Sequence, residues 1–372
     1  MNKEFSVIMI PTFACNNRCL HCFEEIKNET IKSEMWPIIW RELKNLARAR
    51  AANTLKIYWQ GGELMTMGPA LLELGLRTGD EYFDESDIAL EHHIQTNLLL
   101  YDGDWRHIIN SYFKGSISSS IDFPNLYRRA PALTLPDYTA AWIKKKNSAE
   151  LDGFIVNIIT LPNTETLRLG AEAFYEFFVS EINAKNVQIN FPFMGFDGEN
   201  PAALPLEELA EFMADLYGVW VKSGRYLNLN PFAALENRIS GNDGRLPCAW
   251  AYNCSEFLIA VAPNGEVGLC DCWISTQRHH NFGKLGAQSL DEILASPKRA
   301  EFLERPNRVF AGEDCADCRF WMICHGGCPI RSFSFKGSPD TKDYYCVVYK
   351  SIFNSVLGNK QEEAKDEIVG KR

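Results

Sequence analysis

The sequence predicts an α/β protein in which helices cover a parallel β-sheet, followed by a second domain organised by cysteines. From residue 5 to about 193, short β-rich runs alternate with longer amphipathic stretches, and this alternation is typical of parallel sheets. Nine of the twelve cysteines fall between residues 248 and 346, and none lies between 23 and 247. This change in composition marks the second domain.

Six strands are predicted from runs of β-branched and aromatic residues. They are FSVIMIPTF (5–13), LKIYWQ (55–60), IALEHHIQT (88–96), GSISSSI (115–121), GFIVNIIT (153–160) and VQINFPF (187–193). Amphipathic helices are predicted between them, such as MWPIIWRELKNLARAR (35–50) and TETLRLGAEAFYEFFVSEI (164–182). Six β/α units are fewer than a closed barrel needs, so a partial (β/α)6 barrel or an open sheet fits.

The second half is predicted to contain helices and a β-hairpin. A helix is predicted at 204–223, a hairpin turns at Asn264-Gly265, and residues 289–305 are predicted as one helix capped by Ser289. The polar tail is expected to be a solvated helix end or frayed. The predicted boundaries are therefore a β/α domain at 1–200, a helical linker at 201–247, a cysteine-rich domain at 248–350 and a tail at 351–372.

Composition excludes several function classes. The net charge of −10 argues against a duplex nucleic-acid binder, which needs a basic face. No apolar run approaches the roughly 18 residues that span a bilayer, and the N-terminus lacks the layout of a cleavable signal. We therefore expect a protein of the cytoplasm. Disulfides are rare in that compartment, so twelve cysteines indicate ligands of metals or iron–sulfur clusters.

The segment CNNRCLHC places Cys15, Cys19 and Cys22 directly after the first predicted strand. The ends of parallel strands are where such folds carry their chemistry. Three thiolates without a fourth nearby cysteine suit a [4Fe–4S] cluster that leaves one iron without a protein ligand. That iron could hold a substrate or cofactor, whereas a structural zinc site closes all four positions.

This C-x3-C-x2-C run after the first strand of a β/α repeat resembles the radical S-adenosylmethionine (SAM) enzymes. In that superfamily the open iron chelates the amino and carboxylate groups of SAM, and the cluster reduces SAM to a 5′-deoxyadenosyl radical. The resemblance implies that Cys15, Cys19 and Cys22 are cluster ligands.

Short segments after the next three strands match the same superfamily. In QGGE after the second strand, glycines allow a close backbone approach and Glu63 can accept from an ammonium group. Alone, this segment would also fit a simple turn. Ser120, after the fourth strand, matches a position near the SAM carboxylate. The resemblance implies that Gln60 contacts the substrate. It also implies a SAM pocket formed by Gly61, Gly62, Glu63, Thr96, Asn97 and Ser120.

The C-terminal cysteines follow a fuller pattern. Cys254 is followed by ten residues, Gly265, four residues and Cys270, and then come C-x2-C-x5-C-x3-C and a last cysteine. This is the seven-cysteine pattern of the SPASM domain, with Cys248 as an eighth thiolate; a pair of zinc ribbons is the alternative. The resemblance implies two auxiliary [4Fe–4S] clusters, held by Cys248, Cys254, Cys270 and Cys328, and by Cys315, Cys318, Cys324 and Cys346.

Asp271 follows the cluster cysteine Cys270 directly. The sequence is similar to anaerobic sulfatase-maturating enzymes, in which an aspartate at this place acts as general base. The alternative is that Asp271 only forms hydrogen bonds with backbone groups in a loop.

Cys272 is the one cysteine outside the three proposed ligand sets. It is either a small buried residue or a thiol near the active site.

The resemblance implies an enzyme with three [4Fe–4S] clusters and SAM that dehydrogenates a Ser or Cys side chain of a peptide or protein. A flavodoxin- or ferredoxin-type protein would supply electrons. The alternatives are a carbon–carbon, ether or thioether cross-link in a ribosomal peptide, oxidation of a small molecule, and, last, a multi-cluster electron carrier. From the positions of the first and last cysteines, Cys15 and Cys346, we expect no added leader-recognition domain, and this expectation favours a substrate recognised directly or through a separate partner.

Overall fold

A computed structural model describes most of the chain. The described residues are 4–193, 200, 202–242, 246–313 and 315–370, with the backbone alone at 361–370. Some parts of the predicted domains lie outside the described residues. They are residues 1–3, 194–199, 201, 243–245, 314 and 371–372.

Ten strands are present in the described residues. They are β1 (Glu4–Met9), β2 (Thr54–Trp59), β3 (Ala89–Thr96), β4 (Ser116–Ser120), β5 (Ile155–Thr160), β6 (Asn186–Ile189), β7 (Asn228–Asn230), β8 (Leu258–Val261), β9 (Glu266–Gly268) and β10 (Gly283–Lys284).

Fourteen α-helices accompany these strands in the same described residues. They are α1 (Met35–Ala49), α2 (Pro69–Phe83), α3 (Arg106–Phe113), α4 (Leu135–Leu151), α5 (Thr164–Glu176), α6 (Leu206–Lys222), α7 (Phe232–Ile239), α8 (Asp271–Thr276), α9 (Leu290–Leu294), α10 (Pro297–Leu303), α11 (Arg305–Gly312), α12 (Trp321–Cys324), α13 (Pro329–Lys336) and α14 (Cys346–Gly370).

The six predicted strands are confirmed as β1 to β6, so the α/β fold class is confirmed as well. The predicted helices at 35–50 and 204–223 correspond to α1 and α6. The prediction missed β7, because its three residues, Asn-Leu-Asn, are too few and too polar to show an alternating pattern.

The chain divides into two compact units. The first unit comprises Met1–Ser120, Tyr127–Asn157 and Asn253–Glu304, and the second comprises Ile121–Leu126, Ile158–Tyr252 and Arg305–Arg372. Strand β5 begins in the first unit and ends in the second.

In the first unit the strands follow the order β10-β9-β8-β1-β2-β3-β4. The pairs β1–β2, β2–β3, β3–β4 and β1–β8 are parallel. The central strand β1 is buried at five of its six residues, as expected of a parallel strand covered on both faces. In the second unit β6 pairs in parallel with both β5 and β7.

The predicted hairpin is confirmed as the antiparallel pair β8–β9. Gly265 has φ +85° in its turn, a conformation that glycine adopts without strain. The side chain of Asn264 accepts a hydrogen bond from the Glu266 N–H at 3.0 Å. Because β8 also pairs with β1, the hairpin extends the parallel strands of the first unit.

The single helix predicted at 289–305 is wrong, because the structure breaks it into α9 and α10. Ser289 caps α9 as predicted, in a capping box with Glu292. The break comes at Ser296, whose side chain accepts from the Lys298 N–H and starts a new helix with Pro297 in its first turn. Proline has no N–H to continue the preceding helix, so it favours this position.

Candidate active site

Four parallel strands of the first unit bring the predicted site residues to one edge. The triad of Cys15, Cys19 and Cys22 follows β1, and the QGGE segment follows β2 directly. Thr96 and Ser120 are the last residues of β3 and β4. Because parallel strands end on the same side of a sheet, these residues lie along one edge.

The QGGE segment packs against the chain that leads into the cysteine triad. The Gly62 N–H donates to the Thr12 carbonyl at 3.0 Å, and the Glu63 N–H donates to the Ala14 carbonyl at 2.8 Å. A Cβ atom on Gly62 would lie 2.3 Å from the Ala14 carbonyl oxygen, and one on Gly61 would lie 2.7 Å from that of Thr12. The two glycines are therefore required by close backbone packing.

The thiols of the triad are close enough to influence one another. Burial raises the pKa of Cys15 to about 11, with Glu63 and Cys19 adding to the effect while the Asn17 N–H opposes it. Desolvation of its thiol raises the pKa of Cys22 to about 12, although the residue as a whole is exposed. Thiolates in such surroundings need a cation to stabilise them, so this donor set fits an iron–sulfur cluster.

The buried carboxylate of Glu63 connects the loops after β2 and β3. Its Oε1 accepts from the Thr96 hydroxyl at 2.6 Å and the Met65 N–H at 3.0 Å, and its Oε2 accepts from the Asn97 N–H at 2.6 Å. Burial raises the pKa of Glu63, and these donors oppose the rise. The Asn97 side chain donates to Asn16 at 2.7 Å, within the triad segment. One lone pair of Oε2 thus remains for a ligand donor.

Asp271 is the first residue of α8, and Cys270 is the N-cap of that helix. Gln60 Nε2 donates to Asp271 Oδ2 at 2.7 Å. Burial raises the pKa of Asp271, while the backbone N–H and the thiol of Cys272 lower it by hydrogen bonding. Cys272 is thus a buried thiol in contact with this carboxylate. A desolvated carboxylate with a raised pKa can accept a proton during a reaction.

Glu24 is a third buried carboxyl group at this site, after Glu63 and Asp271. Its Oε2 accepts from the Ser275 hydroxyl at 2.6 Å. Burial raises the pKa of Glu24 to about 8; Ser275 and Arg278 oppose this rise, and the neighbouring Asp271 carboxylate adds to it. The charge of Asp271 therefore disfavours ionisation of Glu24.

In the second unit four cysteines line one cavity: Cys315, Cys318, Cys324 and Cys346. The apolar side chains of Phe320 and Phe353 and the carboxylate of Asp343 also line this cavity. Burial raises the pKa of Cys324, and Asp343 adds to the rise. Four thiols around one cavity are the donor set of a [4Fe–4S] cluster.

The other four auxiliary cysteines are divided between the two units. Cys254 and Cys270 flank the hairpin in the first unit. Cys248 and Cys328 lie in the second unit, where the Cys328 N–H donates to Asp343 Oδ2 at 2.7 Å. The assignment of these four cysteines to one cluster stays a prediction.

Comparisons with known proteins support the assignment of the cysteines to iron–sulfur chemistry. Residues 253–319 match the model of the SPASM family, described as an iron–sulfur cluster-binding domain. The chain is 23% identical to a cysteine-type anaerobic sulfatase-maturating enzyme of Clostridium perfringens, over 91% of this chain and 92% of that enzyme. It is also 23% identical to a serine-type enzyme of Klebsiella aerogenes, over 97% of this chain and 87% of that enzyme.

The chain carries a SPASM domain and resembles anaerobic sulfatase-maturating enzymes. The predicted resemblance is confirmed. The structure of native anSMEcpe with bound AdoMet and Cp18Cys peptide has the same fold, with a TM-score of 0.83 and 21% identity over 98% of this chain and 99% of that one. Among the described residues, no helix is both long enough and apolar enough to cross a membrane.

Sequence reasoning missed Glu24 as a site residue. Its partner Ser275 lies 251 residues further along the chain, so no local spacing connects the two. The available signal was an acidic residue two positions after the third cysteine of the triad.

Proposed function

We propose that this chain is a radical SAM enzyme that oxidises a side chain of a peptide or protein substrate. Support comes from its similarity to sulfatase-maturating enzymes and from the SPASM match. The cofactors are three [4Fe–4S] clusters and SAM, and eleven of the twelve cysteines belong to the three proposed ligand sets. When bound, these groups supply a hydrogen-abstracting 5′-deoxyadenosyl radical and an acceptor for the remaining electron.

The first unit supplies the residues that would surround SAM. Cys15, Cys19 and Cys22 would hold the cluster, and the close packing of Gly61 and Gly62 keeps the adjoining loops in contact. Thr96, Asn97 and Ser120 complete the proposed pocket at the ends of β3 and β4. Glu63 holds two of the pocket loops together.

Asp271 is the proposed general base. Loss of a hydrogen atom from Cβ of a Ser or Cys leaves a proton on the hydroxyl or thiol, and Asp271 accepts that proton as the carbon–heteroatom double bond forms. Gln60 donates to the Asp271 carboxylate and fixes the direction of its oxygens. Orientation of the base matters because proton transfer depends on close, aligned contact.

The observation that carries this proposal is the Gln60–Asp271 hydrogen bond, since it joins the predicted SAM-binding segment to the aspartate beside Cys270.

In the experiment that tests this proposal, anaerobically reconstituted enzyme is mixed with SAM, a reductant and peptides that contain one serine or one cysteine. Loss of two hydrogen atoms from the peptide, with release of 5′-deoxyadenosine, is the expected result. A product that loses the same two hydrogens but contains a new ring would identify a cross-linking enzyme instead.

The proposed partners are a peptide or protein substrate and a small electron-transfer protein of the flavodoxin or ferredoxin type, in the cytoplasm. Reductive cleavage of SAM consumes one electron, so an external donor is required.

A further inference from the structure

Asp343 is a buried carboxylate of the second unit, only 2% exposed, that lines the cavity of the second auxiliary set of cysteines. Its Oδ2 accepts a hydrogen bond from the Cys328 N–H at 2.7 Å, and its Oδ1 accepts from the Tyr345 N–H at 2.9 Å. Cys328 belongs to the first proposed auxiliary set, and Tyr345 directly precedes Cys346 of the second. One side chain thus contacts segments of both sets.

The main chain of Asp343 joins the same segments. The Cys346 N–H donates to the Asp343 carbonyl at 3.1 Å, and the Asp343 N–H donates to the Gly326 carbonyl at 2.9 Å. Gly326 lies between Cys324 and Cys328, which belong to different proposed sets. Asp343 therefore connects segments that carry three of the eight proposed auxiliary ligands.

The Asp343 side chain is itself held in place. A Cβ atom on Gly327 would lie 2.3 Å from the Asp343 Cβ and 2.7 Å from its Oδ2, so this glycine, with φ +74°, leaves the space that the carboxylate occupies. The Tyr349 hydroxyl donates to Asp343 Oδ2 at 2.9 Å and accepts from Arg331 Nη1 at 2.6 Å. A carboxylate fixed on several sides can hold the cysteine segments in one arrangement.

We propose that Asp343 is a positioning residue for both auxiliary clusters, because it fixes Cys328 of one ligand set and the segment of Cys346 in the other. Hydrogen-bond partners behind metal ligands orient them, and loss of such a partner typically weakens metal affinity by about 10- to 100-fold. This inference rests on the proposed function, since it uses the two auxiliary ligand sets proposed there. It adds that retention of both clusters depends on one side chain.

The experiment measures iron retention in a protein that holds only the auxiliary clusters. This triad-alanine protein has Cys15, Cys19 and Cys22 changed to Ala and should contain about eight irons after anaerobic reconstitution. The measured quantity is the chelator threshold, which is the chelator concentration that removes half of the iron. Asp343→Ala removes both acceptor oxygens, so both clusters should be lost at a chelator concentration about tenfold lower.

Asp343→Asn distinguishes positioning from a general loss of folding. An amide has one acceptor oxygen, so its NH2 group must face either the Cys328 N–H or the Tyr345 N–H. Only one ligand set then loses its support, and about four of the irons should become sensitive to the lower chelator concentration. The EPR spectrum of the reduced protein should change for one cluster and stay unchanged for the other.

Two control variants in the same background separate this effect from loss of charge and loss of stability. Asp317→Ala removes an exposed carboxylate from the C-x2-C segment of the second set. Glu236→Ala removes another buried carboxylate of the second unit, which accepts from the Tyr217 hydroxyl at 2.8 Å and from Arg225 Nε at 2.9 Å. Both should keep the chelator threshold and the EPR spectrum, although Glu236→Ala should lower the free energy of unfolding.

The inference is overturned by an unchanged threshold in Asp343→Ala, by loss of only one cluster in that variant, or by an equal loss of iron in Glu236→Ala. If Asp343→Ala does not fold, Asp343→Asn decides, and full iron retention there overturns the inference. Fewer than about eight irons in the triad-alanine protein would reject the auxiliary ligand sets, and this inference with them. Both clusters present, with unchanged thresholds in the Asp343 variants, would reject this inference alone.

Discussion

Gln60 Nε2 lies 2.7 Å from Asp271 Oδ2, and this hydrogen bond joins the loop after β2 to the start of α8. The two residues are 211 positions apart in the sequence. The bond brings the QGGE segment and the aspartate beside Cys270 into one site. It also gives Asp271 a fixed orientation, which a base needs and a solvated loop carboxylate does not have.

Asp271→Asn should separate hydrogen abstraction from product formation. The amide keeps the shape of the side chain but cannot accept the proton, so oxidised peptide should fall by about 10²-fold or more. Formation of 5′-deoxyadenosine should continue. Mass spectrometry of the peptide and chromatography of 5′-deoxyadenosine measure the two outcomes in the same reaction.

Iron content is the control for this variant, because Asp271 adjoins the proposed ligand Cys270. Normal iron with full product formation would remove Asp271 from the mechanism and favour a cross-linking reaction. Lost iron would indicate a structural role in the cluster loop instead.

Gln60→Leu should shift the pH dependence of product formation upwards. The variant removes a donor that stabilises the Asp271 carboxylate, so the already raised pKa of Asp271 should rise further. Asp271 acts as a base only above its pKa, so activity should be lost near neutral pH and regained at higher pH. The measurement is oxidised peptide formed per 5′-deoxyadenosine across a pH series.

Gln188→Leu is the matched control, since Gln188 lies in β6 and donates to the Ile189 carbonyl. It should leave the pH profile unchanged. An unshifted profile in Gln60→Leu as well would show that Gln60 does not act through Asp271.

The sequence predicted features that depend on local pattern. Strands β1 to β6 follow from their apolar runs, and the position of the triad after β1 follows from the order of elements. The pairing of β8 with β1 and the contact of Glu24 with Ser275 depend on residues about 250 positions apart, so no spacing reveals them. The break at Pro297 was locally encoded, because a serine followed by a proline is a common helix start.

The triple change of Cys15, Cys19 and Cys22 to Ala should remove one cluster of three. Anaerobically reconstituted parent should contain about twelve irons per chain and the variant about eight. Cleavage of SAM should disappear in the variant, while the auxiliary clusters keep their absorbance. Zinc in place of iron, or unchanged iron in the variant, would contradict the assignment.

Gly62→Ala should damage the same cluster without touching a ligand. Its Cβ would lie 2.3 Å from the Ala14 carbonyl oxygen, so the segment before Cys15 must move. We expect a loss of about four irons and of SAM cleavage.

Gly218→Ala is the control for this variant. Gly218 lies in α6, and no atom lies within 4 Å of the added Cβ. The change should therefore keep all iron and stabilise the protein by about 1 kcal/mol. Full iron in Gly62→Ala would show that the close contact is not required.

Glu63→Gln tests whether the buried carboxylate, rather than its shape, holds the SAM pocket together. The variant can keep one oxygen facing Thr96 and Met65, but its NH2 group then faces the Asn97 N–H, so two donors oppose each other. Flipping the amide moves the conflict to the Met65 N–H. We expect a loss of about 1–3 kcal/mol in the free energy of unfolding, measured by denaturant titration. We also expect about tenfold weaker SAM binding, measured by calorimetry.

Glu34→Gln, at an exposed position before α1, is the control and should change neither quantity. If Glu63→Gln also changes neither, the Glu63 carboxylate has no part in the pocket, and the QGGE segment acts through its backbone alone.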